Sequence, residues 1–297
     1  MRNIIDEVAT LNAYIDTSTG PIRGHVLTPN NPEEIVAAVV LHPATAVPER
    51  LYRGFAEFLA GDGFAVVTYD YRGTGRSGTS KENPGIRMRD WMAVDAPAVA
   101  QWTRERFPHV PQLAVGHSIG GHALALNYGS PELKGIVTVA SHVGTTAAIP
   151  KRAERLRVNL ILHVLGPIIV RLLGYAPGRR LGLGEDIPRA AMLEWGQWTK
   201  LPRYFFDDPT MNAEERTAQV SADVLAIGFS DDLWSTPEQI DAMTDRLVNA
   251  EVERRTVDPE SVGVQSIGHM GFFRRENRDT LWPEVGAWLR RRAELGS

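Results

Sequence analysis

Along the chain, short apolar runs rich in β-branched residues alternate with longer stretches in which apolar positions recur every three or four residues. The short runs at 35–41, 64–69, 112–115, 135–140, 224–228 and 251–257 read as strands. Between them, Leu51, Phe55, Phe58 and Leu59 fall on one helical face, as do Leu281, Val285, Trp288 and Leu289 near the end. This alternation predicts an α/β fold, a mostly parallel doubly wound sheet with helices on both faces. Residues 12–15 and 22–27 are β-like with no helix between them, which predicts an antiparallel edge on the same sheet.

The alternation breaks once. The interval between the strand ending at 140 and the one starting at 224 is far longer than a crossover helix needs. Residues 143–219 therefore read as an inserted helical cap, with 1–142 and 220–297 forming the core. Within the insertion, 160–173 predicts a helix broken at Gly166-Pro167, and Met192, Trp195 and Trp198 recur at helical spacing. Its aromatic residues Trp195, Trp198, Tyr204, Phe205 and Phe206 have two readings: they pack the cap onto the core, or they wall a pocket.

The strongest chemical signal is Gly116-His117-Ser118-Ile119-Gly120-Gly121, directly after the strand at 112–115 and at the start of a helical stretch. This is the G-x-S-x-G elbow in its required context, where small residues let a strained turn pass close to its neighbours. Ser118 then projects at a helix N-terminus, which favours developing negative charge. A serine alcohol needs a base and an orienting acid. His269 lies in a loop between the last strand and the last helix, and Asp231 and Asp232 follow the strand at 224–228. The chain order is thus serine, acid, histidine. Asp232 is the favoured acid because it leaves a turn of ordinary length before Pro237, with Asp231 as the alternative. The oxyanion of acyl transfer needs two backbone donors, expected from Ile119 and from Ala44, since Pro43 has no N–H. Thr45, His117, Trp195, Trp198, Trp234 and Met270 are the expected substrate-lining residues.

Composition narrows the field. The formal net charge of −4 argues against a nucleic-acid partner. The absence of cysteine excludes disulfides and a thiol nucleophile, and fits a reducing compartment. The N-terminus lacks a basic start followed by an apolar run, so no signal peptide is read and a cytoplasmic location is expected. The apolar stretch 158–176 is interrupted by His163, Pro167 and Arg171, so no stable membrane insertion is expected. Nine basic residues against four acidic ones at 151–200 make the insertion locally positive; this reads as a solvated face, or as an attractor of anionic substrates or an anionic membrane surface. The glycine-rich run at 70–78 lacks a nucleotide fingerprint, and no dense cluster of metal ligands is present, so neither cofactor nor metal is expected.

Taken with these residues, the chain resembles the α/β-hydrolase superfamily. Asp70-Tyr71-Arg72-Gly73-Thr74-Gly75-Arg76-Ser77 is similar to the D-x-R-G-x-G-x-S loop of the lipase, esterase and serine-aminopeptidase-like branch. The stretch Gly268-His269-Met270-Gly271-Phe272-Phe273-Arg274 is similar to the histidine loop of bacterial hydrolases in that branch. The resemblance implies a serine hydrolase acting on small acyl substrates, with carboxylic esters first and thioesters or amides also open. It leaves open an acyltransferase, a hydrolase-fold binding protein with negligible turnover, and homo-oligomerisation. Pro43 departs from the glycine usual at that point of the oxyanion loop.

Overall fold

The strands form where the β-branched runs lie. The computed structural model describes residues 8–181 and 184–295. In chain order the strands are β1 (Val8–Thr17), β2 (Gly20–Pro29), β3 (Ala37–His42), β4 (Phe64–Asp70), β5 (Gln112–His117), β6 (Gly135–Val139), the two-residue β7 (Tyr175–Ala176) and β8 (Ile187–Pro188), β9 (Asp223–Phe229) and β10 (Val252–Val257). Eight of them make one sheet in the order β1-β2-β4-β3-β5-β6-β9-β10. From β4 to β10 the neighbours are parallel, while the β1–β2 hairpin joins antiparallel to β4. The hairpin strands are longer than the β-like segments that announced them.

Every residue of β3 and β4 is buried, which is why these strands read as continuous apolar runs. Successive residues point to opposite faces. Val39 and Leu41 pack with Phe55, Leu59, Trp282, Val285 and Trp288, from the helices Arg53–Gly61 and Arg278–Leu295. Val40 packs on the other face with Ala96, Val99, Ile119 and Ala123, from Ala96–Arg106 and Ile119–Ala125.

The insertion between β6 and β9 is largely helical. The break expected at Gly166-Pro167 does not occur: Arg152–Leu173 runs as one helix of 22 residues. Pro167 has no N–H to give to the preceding turn, and the helix absorbs this with a π turn at Ile161–Leu165, in which Gly166 N–H reaches the Ile161 carbonyl. By length and composition alone the helix is long and apolar enough to cross a membrane, with a mean hydropathy of 1.7 over its most apolar 18 residues. A second helix, Arg189–Trp198, packs beside it, and Met192 crowds against Gly166.

Candidate active site

Ser118 sits in the sharp turn from β5 into the helix Ile119–Ala125, with φ 52° and ψ −113°. A serine in this region is strained, and the surrounding structure must impose it. Close packing does so. A methyl group on Gly120 would stand 2.2 Å from the His42 carbonyl oxygen, and one on Gly116 would stand 2.4 Å from the Gly121 nitrogen. The Ser118 amide donates to the Val139 carbonyl at 3.0 Å, and the Ser141 hydroxyl donates to the Ser118 carbonyl at 2.9 Å. Ile119 opens the helix, so its amide has no acceptor within that helix.

The two candidate acids have separate tasks. Asp232 Oδ2 is 2.7 Å from His269 Nδ1, and its Oδ1 accepts the amides of Trp234 and Ser235 at 2.9 and 3.1 Å. Burial pushes the Asp232 carboxyl up, but the His269 hydrogen bond, the charges of His269 and His142 and the Trp234 amide outweigh it, holding it down to about 2. Asp231 faces the other way. Its oxygens accept from the Ser266 hydroxyl at 2.8 Å and from the amides of Ile267 and Gly268 at 2.9 Å each, pinning the backbone directly before His269. His269 lies in a short helical turn, Gly268–Gly271.

Ser118 and His269 both line a cavity of about 480 Å³ between the C-terminal ends of the central strands and the insertion. Ala44, Thr45, Ile119, Trp195, Trp234 and Met270 also line it. Two residues expected there are elsewhere. Trp198 is buried inside the insertion, its indole N–H donating to Asp208 at 2.9 Å and its ring against Tyr204 and Phe205, because its helical face turns away from the cavity. His117 is buried beneath the turn, since strand alternation directs it opposite to Ser118.

There His117 completes a hydrogen-bond chain that the sequence did not announce. Its Nε2 meets the His269 carbonyl at 2.8 Å, and a carbonyl only accepts, so Nε2 carries the proton. Burial first, with His269 adding to it, lowers its pKa to about 3, so the ring is neutral and Nδ1 accepts from the Tyr52 hydroxyl at 2.9 Å. The Tyr52 oxygen in turn accepts the Ala44 amide at 2.8 Å. The amide expected as the second oxyanion donor thus bonds the Tyr52 oxygen in this structure. Tyr52 was not among the expected site residues, and nothing in its spacing marked its hydroxyl.

Two more neutral histidines face the cavity. Burial, with His142 adding to it, takes His122 down to about 3, and burial with His269 takes His142 down to about 4. The D-x-R-G-x-G-x-S loop braces the loop that follows β3. Asp70 accepts the Glu49 amide at 2.8 Å and the Arg76 amide at 2.9 Å, and Arg72 pairs with buried Asp95 at 2.6 Å. Among the described residues no group of side chains is disposed to hold a metal ion.

Residues 33–252 match the family model described as serine aminopeptidase, S33, and the chain belongs to that family. It is an α/β-fold serine hydrolase by class. No curated protein sequence matches it. Solved structures of the same architecture include the esterase EaEST from Exiguobacterium antarcticum, with TM-score 0.62 and 14% identity over 94% of this chain and 99% of that one. Est1E from Butyrivibrio proteoclasticus, solved with ferulic acid bound, is similar with TM-score 0.61 and 15% identity over 94% and 96%. A monoacylglycerol lipase from Paleococcus ferrophilus gives 0.56 and 16% over 96% and 99%.

Proposed function

We propose that this protein hydrolyses carboxylic esters of small acyl substrates through an acyl-enzyme on Ser118, with His269 as general base and Asp232 as its orienting acid. The observation that carries the reading is the 2.7 Å Asp232–His269 bond beside a strained serine on the same cavity. Asp232 is ionised at neutral pH, so it accepts Nδ1–H and leaves Nε2 of His269 as the basic nitrogen. That nitrogen takes the Ser118 proton as Oγ attacks the acyl carbon, then returns it to the leaving alcohol. Water repeats the sequence to release the acid. The Ile119 amide binds the developing oxyanion, and the Ala44 amide joins it by turning from, or sharing, the Tyr52 oxygen. The segment 143–219 acts as the cap that selects the acyl group.

The test is covalent labelling with a fluorophosphonate together with turnover of a series of p-nitrophenyl esters. Ser118→Ala is expected to lose labelling altogether and to lose on the order of 10⁴- to 10⁶-fold in kcat while melting like the parent. Labelling that persists in the variant overturns the reading.

A further inference from the structure

The helix Arg152–Leu173 has two apolar faces, and the site uses only one. Val158, Ile161, Leu162 and Ile169 turn inward to the cavity. On the outside, Leu156, Leu160, Val164, Ile168 and Leu172 are 60, 50, 47, 50 and 78% exposed. Among the described residues, seven of the eleven exposed large apolar side chains lie on this helix; the rest are scattered. The outer residues are four apart. On a plain α-helix such a row drifts by roughly 40° per step, but the π turn at Ile161–Leu165 winds more slowly and slows that drift. The irregularity that accommodates Pro167 thus also keeps the bare residues in one stripe.

Charge indicates what covers the stripe. Residues 151–173 hold Lys151, Arg152, Arg155, Arg157 and Arg171 against Glu154 alone, a net +4 on a chain of net −4. Glu154 is itself taken up by Arg157 at 2.6 Å and by the Trp234 indole at 2.8 Å. Four of the basic residues lie in the first turns of the helix and Arg171 near its end, with most of the apolar row between them. A second copy of the chain would bring the same positive ends against these in a two-fold contact, so self-association is disfavoured. An anionic lipid surface accepts both features: acyl chains receive the stripe and headgroups receive the cations.

We propose that the insertion docks on an anionic lipid surface through this stripe, with the helix lying in the interface plane and its inner face still walling the cavity. The proposal does not depend on the esterase chemistry. The test is co-sedimentation of full-length Ser118→Ala protein with vesicles of phosphatidylcholine alone or of phosphatidylcholine and phosphatidylglycerol in equal parts. Partition into the anionic vesicles at least about tenfold above the neutral ones, and falling with added salt, is expected. Leu160→Ser with Ile168→Ser and Leu172→Ser, and separately Arg152→Glu with Arg155→Glu, should each reduce that partition about tenfold or more. In the otherwise wild-type protein the three serine substitutions should leave turnover of a water-soluble short-chain ester unchanged, because none of the three leucine and isoleucine positions lines the cavity. Leu172→Ser alone, the most exposed of them, serves if the triple variant does not fold, and is expected to weaken partition in the same direction. Equal weak partition into both vesicles overturns the proposal, as does a self-associated protein that the same substitutions dissociate. Silence in the ester assay with vesicle binding intact would count against the catalytic reading only.

Discussion

The strand ends beneath the cavity and the insertion above it are held in partly different ways. Below, the turn at Ser118 is held by backbone hydrogen bonds and by contacts that leave no room for a methyl group at Gly116 or Gly120. Above, three backbone hydrogen bonds, from Val143 to Gln239, Glu185 to Ala46 and Ala190 to Pro84, join the insertion to the core, and long side chains supply the remaining ties: Arg89 reaches Glu194 at 2.5 Å and Asp208 at 2.7 Å, and the Trp234 indole reaches Glu154 at 2.8 Å. Backbone geometry and close packing cannot be adjusted one residue at a time, whereas side-chain ties and apolar walls can. The turn at Ser118 is therefore the less adjustable side of the cavity wall.

The largest expected contrast lies within the rigid half. Asp232→Asn should lose about 10⁴-fold in kcat, because the amide no longer holds the correct histidine tautomer. Asp231→Asn should lose far less, since it loosens the backbone before His269 without touching the ring. Steady-state rates of the two variants decide it, and the reverse ranking would exchange their roles.

A second difference is written in pH. His42, His117 and His122 are lowered to about 3 and His142 to about 4, burial being the leading cause in each. All four lie on or beside the core strands; His163 in the insertion is only partly buried, and burial with the Lys200 charge lowers it as well. In the unfolded chain histidine titrates near pH 6.5, so below that value the unfolded state binds protons that the folded state refuses. Their contribution is complete above about 6.5 and is lost as pH falls toward the folded values, at up to about 1.4 kcal/mol per pH unit for each. Urea midpoints should fall steeply from pH 7 to 5, and less steeply in His122→Asn. A flat profile in the parent would sink this account.

Within the insertion, Trp198 and Trp195 should part company. Trp198→Ala empties a buried site and should cost about 3–5 kcal/mol in a denaturant melt without changing acyl preference. Trp195 lines the cavity, so Trp195→Ala should shift the chain-length optimum of kcat/KM to longer acyl groups, by about 0.8 kcal/mol for each further methylene buried. Between these magnitudes falls Tyr52→Phe, which leaves the Ala44 amide and His117 Nδ1 without partners. A loss of about 1–3 kcal/mol is expected. An unchanged melt would mean the chain from Ala44 to His269 is not holding the loops together.

Periodicity and local motif alone determined the strand order of appearance, the elbow at Ser118, the histidine loop, the interrupted alternation at 143–219 and, by turn length, the preference for Asp232. These are short-range properties, because a strand's period of two, a glycine-flanked serine or a turn of fixed length is encoded within a few residues. Tertiary structure decided what depends on direction. It turned Trp198 inward and Trp195 toward the cavity although both lie on one helix, and it set His117 beneath the turn that exposes Ser118. It also joined Ala44, Tyr52, His117 and His269 from four separate segments, and carried a helix through Pro167 by way of a π turn. Which neighbour receives a given N–H, and which face of a helix is covered, depends on elements far apart in the chain, and no local pattern carries that information.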